Sequence, residues 1–145
     1  MLKLREQFEE AFNSENFGEA ELLLARMRKQ NSHSQIYLEK QTRFLVRTRN
    51  YDDAKPALKE CLSQYPDSKA CLIDMSSVEL MTGSNQEQGK AAEACISRYP
   101  NEPQCRNMLA MTKMGLGDFN SAVRIYEKLI RDLSLIHISE PTRPY

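Results

Sequence analysis

The chain has 145 residues with 20 basic and 20 acidic side chains, so its formal net charge is zero, and 41% of it is hydrophobic against 28% charged. That balance suits one globular domain and not a disordered chain. Zero net charge with a pI near 6.7 argues against nucleic acid or an anionic membrane surface as partner. The longest apolar stretches, Leu22 to Ala25 and Phe44 to Val46, are too short to span a bilayer, so no membrane insertion is expected.

The chain reads as pairs of helices. Leu2 to Asn13 is the first, with Leu4, Phe8, Ala11 and Phe12 at helical spacing, and Phe17 to Gln30 is its partner. Ser34 to Thr48 and Asp52 to Gln64 form the next pair. Pro56 conflicts with the second of these unless Asp52 is the N-cap, which would place the proline in the first turn with a slight bend there. Asp67 to Met81 and Gln86 to Arg98 follow, with Gly83 placed to end the first helix. Glu102 to Met114 and Phe119 to Asp132 are the last pair, with Gly117 between them and Ala122, Ile125, Tyr126 and Leu129 on one stripe. Pro66 and Pro100 separate pairs, and Asp67 or Ser68, and Asn101, are the expected N-caps after them.

The pairs repeat. Cys61 to Pro66 aligns with Cys95 to Pro100, and Cys71 with Cys105, each 34 residues on. Glu15 to Ala20 aligns with Arg49 to Ala54, and Gly83 to Asn85 with Gly117 to Phe119, at the same spacing. The units are therefore 1–33, 34–67, 68–101 and 102–132, making 1–132 one repeat domain. The period, with Leu109 and Ala110 followed by Gly117, Asp118, Phe119, Ala122 and Tyr126, closely resembles the tetratricopeptide repeat. Ala20, Ala54 and Ala122 fill that family's small column, and Pro66 and Pro100 its proline column. Unit three departs from the pattern, with Gln88 in the small column and Asn85 in the aromatic one. Units one and two hold Glu15 and Arg49 where a turn glycine belongs.

The resemblance implies an all-α fold: a right-handed α-solenoid of about four antiparallel helix–turn–helix repeats, truncated at its C-terminal end. It also implies a concave groove lined by the first helix of each unit. The residues it places there are Arg5, Glu9, Phe12, Glu39, Arg43, Arg47, Ile73, Ser77, Asn107 and Met111. The expected function is a non-catalytic scaffold that binds a protein or peptide segment in this groove. The alternative is the recruiting or sensory domain of a larger enzyme, or of a secretion or assembly machine. The family's carboxylate-gripping subset is not implied, because its columns here include Glu9 and Asp74.

Enzyme chemistry finds little support. His33 lies in a polar turn and reads as a solvated loop residue, no glycine loop is built to cradle phosphate, and no cofactor is expected. Cys61 and Cys71 flank Pro66 at equal distances, as Cys95 and Cys105 flank Pro100, so either two disulfides, Cys61–Cys71 and Cys95–Cys105, or four buried thiols fit. A zinc site is disfavoured because the pairs lie a full repeat apart, so no metal is expected. The opening residues lack the apolar core of a secretory leader, making the cytoplasm the default compartment. Disulfides would instead indicate an oxidising one such as a periplasm. Finally, Leu133 to Tyr145 breaks the composition before it. Its first eleven residues resemble a translated sequencing adapter, so 133–145 is read as an artefactual tail and the native chain is expected to continue past Asp132.

Overall fold

Helix after helix starts on the beat of the repeat. A computed structural model describes residues 1–139, with side chains through Ser134, and every regular element in it is a helix. These are α1 (Leu2–Asn13), α2 (Phe17–Gln30), α3 (Gln35–Arg47), α4 (Tyr51–Gln64), α5 (Lys69–Thr82), α6 (Asn85–Arg98), α7 (Pro103–Gly115) and α8 (Phe119–Ser139). The second helices begin at 17, 51, 85 and 119, and α3, α5 and α7 begin at 35, 69 and 103, so the 34-residue period holds to the residue. The fold is an all-α helical repeat. Contacts divide it into two compact units, Met1–Val78 and Glu79 onward, with α5 running through the division.

The turns inside hairpins show why the period is so strict. After α1, Asn16 N–H donates to Ala11 O and Glu15 N–H to Phe12 O. After α3 the same pair runs from Asn50 to Leu45 and from Arg49 to Val46, and after α7 from Asp118 to Lys113 and from Gly117 to Met114. This double bond closes a helix C-terminus only if the residue after the cap is left-handed. Glu15, Arg49 and Gly117 have φ of 58°, 60° and 81°. Glycine was expected to be the device at such turns, yet in two of the three a charged residue takes the strained conformation. The α5–α6 turn is different. α5 runs on to Thr82, Gly83 is not left-handed, and its N–H donates to Glu79 O at 2.8 Å. Glycine is needed at 83 for space, since a Cβ there would lie 2.9 Å from Glu79 O and would clash with the Glu79 carboxyl.

Caps follow the same beat. Asn16, Ser84 and Asp118 accept from the backbone N–H of Glu19, Glu87 and Ser121. Ser34 and Ser68 accept from Tyr37 and Cys71. Asn101 is not the cap of α7: Glu102 holds that place, and the Asn101 side chain accepts from Arg106 instead. Asp52 is not the cap of α4 either. The helix starts a residue earlier, capped at Asn50, and Pro56 lies inside it. Pro56 therefore removes the bond that would reach Asp52 O, on the exposed side of the turn. At the far end α8 does not stop at Asp132 but continues to Ser139; residues 140–145 of the tail lie outside the described residues.

Each unit has its own core. In Met1–Val78 it is built on Phe8, Met27, Leu38 and Leu58, with Ala20 and Ala54 sealed between paired helices. In the second unit Ala92, Ala110, Ala122 and Leu129 are buried. Each fully buried large side chain contributes roughly 1.5–3 kcal/mol. No described helix is long and apolar enough to cross a membrane.

Relieving one strained turn should show in stability. Arg49→Gly, at an exposed position with φ 60°, is expected to raise the unfolding free energy by about 1 kcal/mol. Gly117→Ala is expected to lower it by a similar amount. Urea denaturation followed by far-UV circular dichroism measures both, and an unstable Arg49→Gly variant would contradict the turn assignment.

Candidate protein-binding face

Repeat geometry sorts the first helices into columns. Positions 5, 39, 73 and 107 form one and positions 9, 43, 77 and 111 another, each spaced by 34. These are the columns the sequence assigns to the groove, and most of their residues are half-buried or exposed. The column one step round at 8, 42, 76 and 110 holds Phe8, Thr42, Ser76 and Ala110, all at 0–1% exposure. The boundary between core and face thus falls between adjacent residues of one helix.

In the first unit the face is an electrostatic lattice. Glu9 Oε1 accepts from Lys40 Nζ at 2.8 Å and from Arg5 Nε at 3.4 Å. The Lys40 ammonium, more than any other group, holds the Glu9 carboxyl below its usual range. A cleft of about 190 Å³ opens beside the triad, lined by Arg5, Gln35, Ile36, Glu39 and Lys40. Arg47 reaches back to the α1–α2 turn, where its Nη2 donates to Glu15 Oε1 at 2.9 Å. Arg43 is exposed between these pairs. Phe12 is only partly open: its ring sits 5.5 Å from Phe8 and 6.0 Å from Phe17, which in turn meets Phe44 at 6.2 Å. It belongs to an aromatic chain linking α1, α2 and α3 more than to an open face.

On α5, Ile73 and Ser77 are half-buried, and the Ser77 hydroxyl donates to Ile73 O at 3.2 Å. In the second unit Asn107 is half-buried and Met111 is 37% exposed on α7. The structure therefore joins Arg5 and Glu9 through Lys40, and binds Arg47 to a turn. It leaves Arg43 and Met111 presented to solvent. Among the described residues, no group of three or more His, Cys, Asp or Glu is placed to hold a metal ion.

Two family models described as tetratricopeptide repeat match the chain, at residues 19–68 and 103–131, together more than half of it. The chain belongs to the tetratricopeptide repeat family. Solved structures agree on the fold. A double mutant of RS-1 MamA superposes with a TM-score of 0.78 at 14% identity, covering 94% of this chain and 76% of that one. The 41-end fragment of MamA from Desulfovibrio magneticus RS-1 gives 0.77 at 13% identity over 95% and 76%. A further MamA crystal structure gives 0.76 at 14% over 98% and 78%. No protein of curated function matches the sequence significantly.

Within the tetratricopeptide frame, two residues of the face were not assigned to the groove from sequence. Lys40 lies one position beyond its column, and its bond to Glu9 spans 31 residues, a diagonal between repeats that no helical spacing within one element reveals. Asp74 is the other. It is 5% exposed, and its Oδ2 is sealed with no hydrogen-bond partner among the described residues. Burial pushes its pKa from 3.8 up to about 6; Arg43 and Lys40 pull down against this, and Glu39 pushes up. The sealed oxygen lies beneath the surface of α3 and α5 and is closed to solvent.

The Asp74 shift has a pH signature. Its pKa is higher folded than unfolded, so the folded state holds the proton more tightly. That stabilisation is complete below pH 3.8 and is lost as pH climbs through about 6, a swing of about 3 kcal/mol. Urea midpoints at pH 4.5 and 7.5 for wild type and Asp74→Asn measure it. Wild type should weaken towards pH 7.5 relative to the variant; parallel profiles would remove Asp74 as the cause.

Proposed function

We propose that the chain is a non-catalytic scaffold that captures a protein segment, and that the capturing surface of the first unit is the face of α1, α3 and the start of α5. The observation that carries this reading is the pair of 34-spaced columns. They stay at least partly accessible, and are mostly polar on the first unit, while the neighbouring column is sealed into the core. Arg5, Glu9, Glu39, Arg43 and Arg47 are the contact residues of the first unit, with Ile73 and Ser77 at its α5 border. On the second unit Asn107 and Met111 occupy the same columns, and both are uncharged.

The chemistry of the first-unit face selects its ligand. Glu9 is shared between two cations, Arg5 and Lys40, leaving a net positive charge, and Glu15 pairs Arg47 only in an exposed bridge, which contributes little. Arg43 stands exposed on the same face of α3 as Arg47, one turn away. An extended or helical segment with carboxylates at matching spacing can take both guanidiniums, exchanging the Glu15 pair for bidentate contacts.

A displayed random-peptide library panned on the whole chain tests this. Acid-rich peptides should enrich. Their affinity should fall at least about tenfold for Arg43→Glu/Arg47→Glu and stay unchanged for the exposed second-helix control Lys59→Glu/Lys128→Glu. Far-UV circular dichroism should be the same for all three proteins. Equal binding by the Arg43/Arg47 variant would reject the face.

A further inference from the structure

The outer side of α8 carries an apolar stripe. Phe119, Val123 and Ile130 are 61%, 51% and 65% exposed, and Tyr126 between them is only half-buried. Their spacing of four, three and four residues puts all four on one side of the helix. Ala122 and Leu129, on the adjoining side, are buried, and Asp132 pairs with Arg106 of α7, so that side is the one turned to α7. Met114 and Leu116, just before α8 in the chain, are exposed as well. So many large apolar side chains left open on one hairpin mark an interaction surface.

The other hairpins show what such a stripe meets. In the 34-residue register Tyr126 shares its column with Leu24, Leu58 and Ala92, all of them buried. Phe119 shares its column with Phe17, whose ring lies 6.2 Å from Phe44 on α3. In the first hairpin, then, this side of the second helix is covered by a helix of the hairpin that follows.

A second copy of the chain offers two helices for that role. Head to tail, its α1 would take the place that α3 takes on α2. But α1 holds Lys3 and Glu10, both exposed, where α3 holds Tyr37 and Phe44. Stacking them on Phe119 and Tyr126 would strip two charges of water. Its α8 fits better. A spacing of four, three and four reads the same in both directions. When two α8 helices run antiparallel, Phe119 of each meets Ile130 of the other, and Val123 meets Tyr126. Glu127, beside the stripe, then comes within a turn of Arg124 of the second copy.

We propose that the outer side of α8 is a self-association surface on which two copies pair antiparallel about a twofold axis. One helix face from each copy is less than a standard interface, so the dimer is a weak one that dissociates between about 1 and 100 µM.

Sedimentation velocity on the whole chain tests this. From about 1 to about 500 µM the wild type should pass from monomer to dimer. Val123→Lys/Ile130→Lys should stay monomeric throughout, with an unchanged far-UV circular dichroism spectrum. Leu22→Lys replaces a leucine on α2 that is as exposed as Phe119, and should dimerise like wild type. Cross-linking reads the geometry. The native cysteines are joined as Cys61–Cys71 and Cys95–Cys105, so an introduced thiol reports alone. Under mild oxidation, Phe119→Cys mixed with Ile130→Cys should give the mixed cross-linked dimer. Neither variant should cross-link to itself, because like positions lie about 16 Å apart along the paired helices. A wild type that is monomeric at the top of the range would overturn the proposal. So would a dimer that persists in Val123→Lys/Ile130→Lys, and cross-linking of either cysteine variant with itself would overturn the antiparallel pairing. No peptide ligand enters these readouts, so the result stands apart from the fate of the proposed face.

Discussion

One constraint organises the molecule: two helices of a hairpin can cross closely only where a side chain is small enough to let them. Ala20, Ala54 and Ala122, at 0–2% exposure, mark that crossing in three hairpins. Once the crossing is fixed, the helical period dictates which residue faces the partner helix, which faces the next hairpin and which faces water. A shift of one residue would rotate each of these by about 100°. That is why helix starts recur at 34 without drift, and why the residue before a buried column can be an open charge.

The turns show that this constraint outweighs local preference. Glu15 and Arg49 pay left-handed strain of roughly 1–2 kcal/mol because the two hydrogen bonds closing each helix end also set the angle at which the next helix returns. Gly83, by contrast, does not turn left; the glycine there leaves room for the Glu79 side chain and carbonyl. Backbone propensity proposes and the position of the next helix disposes. Pro56 illustrates the same order of strength, since α4 starts early at Tyr51 and carries the proline inside.

What could be read from sequence follows from this. Period and hairpin pairing are properties of residue spacing, and Cys61–Pro66 against Cys95–Pro100 was enough to reveal them. Residues whose role depends on a neighbour one repeat away were harder. The Glu9–Lys40 bond crosses two repeats on a diagonal, and its partners are ordinary surface charges when read along the chain. Asp74 reads from the sequence as an acidic residue of a groove column, and only the packing around it shows that it is buried. Its burial is a consequence of packing between helices, to which a hydrophobic pattern read along one helix is blind. The same limit applies to Asn101 and Glu102: either could cap α7 by residue type, and Arg106 decides the matter by taking the Asn101 side chain and Pro100 O for itself.

The open face and the sealed core meet on α5. Ile73 and Ser77 border the open face, while Asp74 and Ser76, interleaved with them on the same turns, are sealed. α5 nonetheless buries Cys71, Leu72 and Val78 beside these polar side chains, and Cys71 and Val78 join the core of the first unit. The face on α1 and α3 carries its own apolar support in Phe8, Leu38 and Met27. The two proposals use different faces of the repeat. A captured segment would lie on columns of the first helices, where the charges are, and a second copy would pair on α8, a second helix whose outer side is apolar. Neither contact competes with the other for the same side chains.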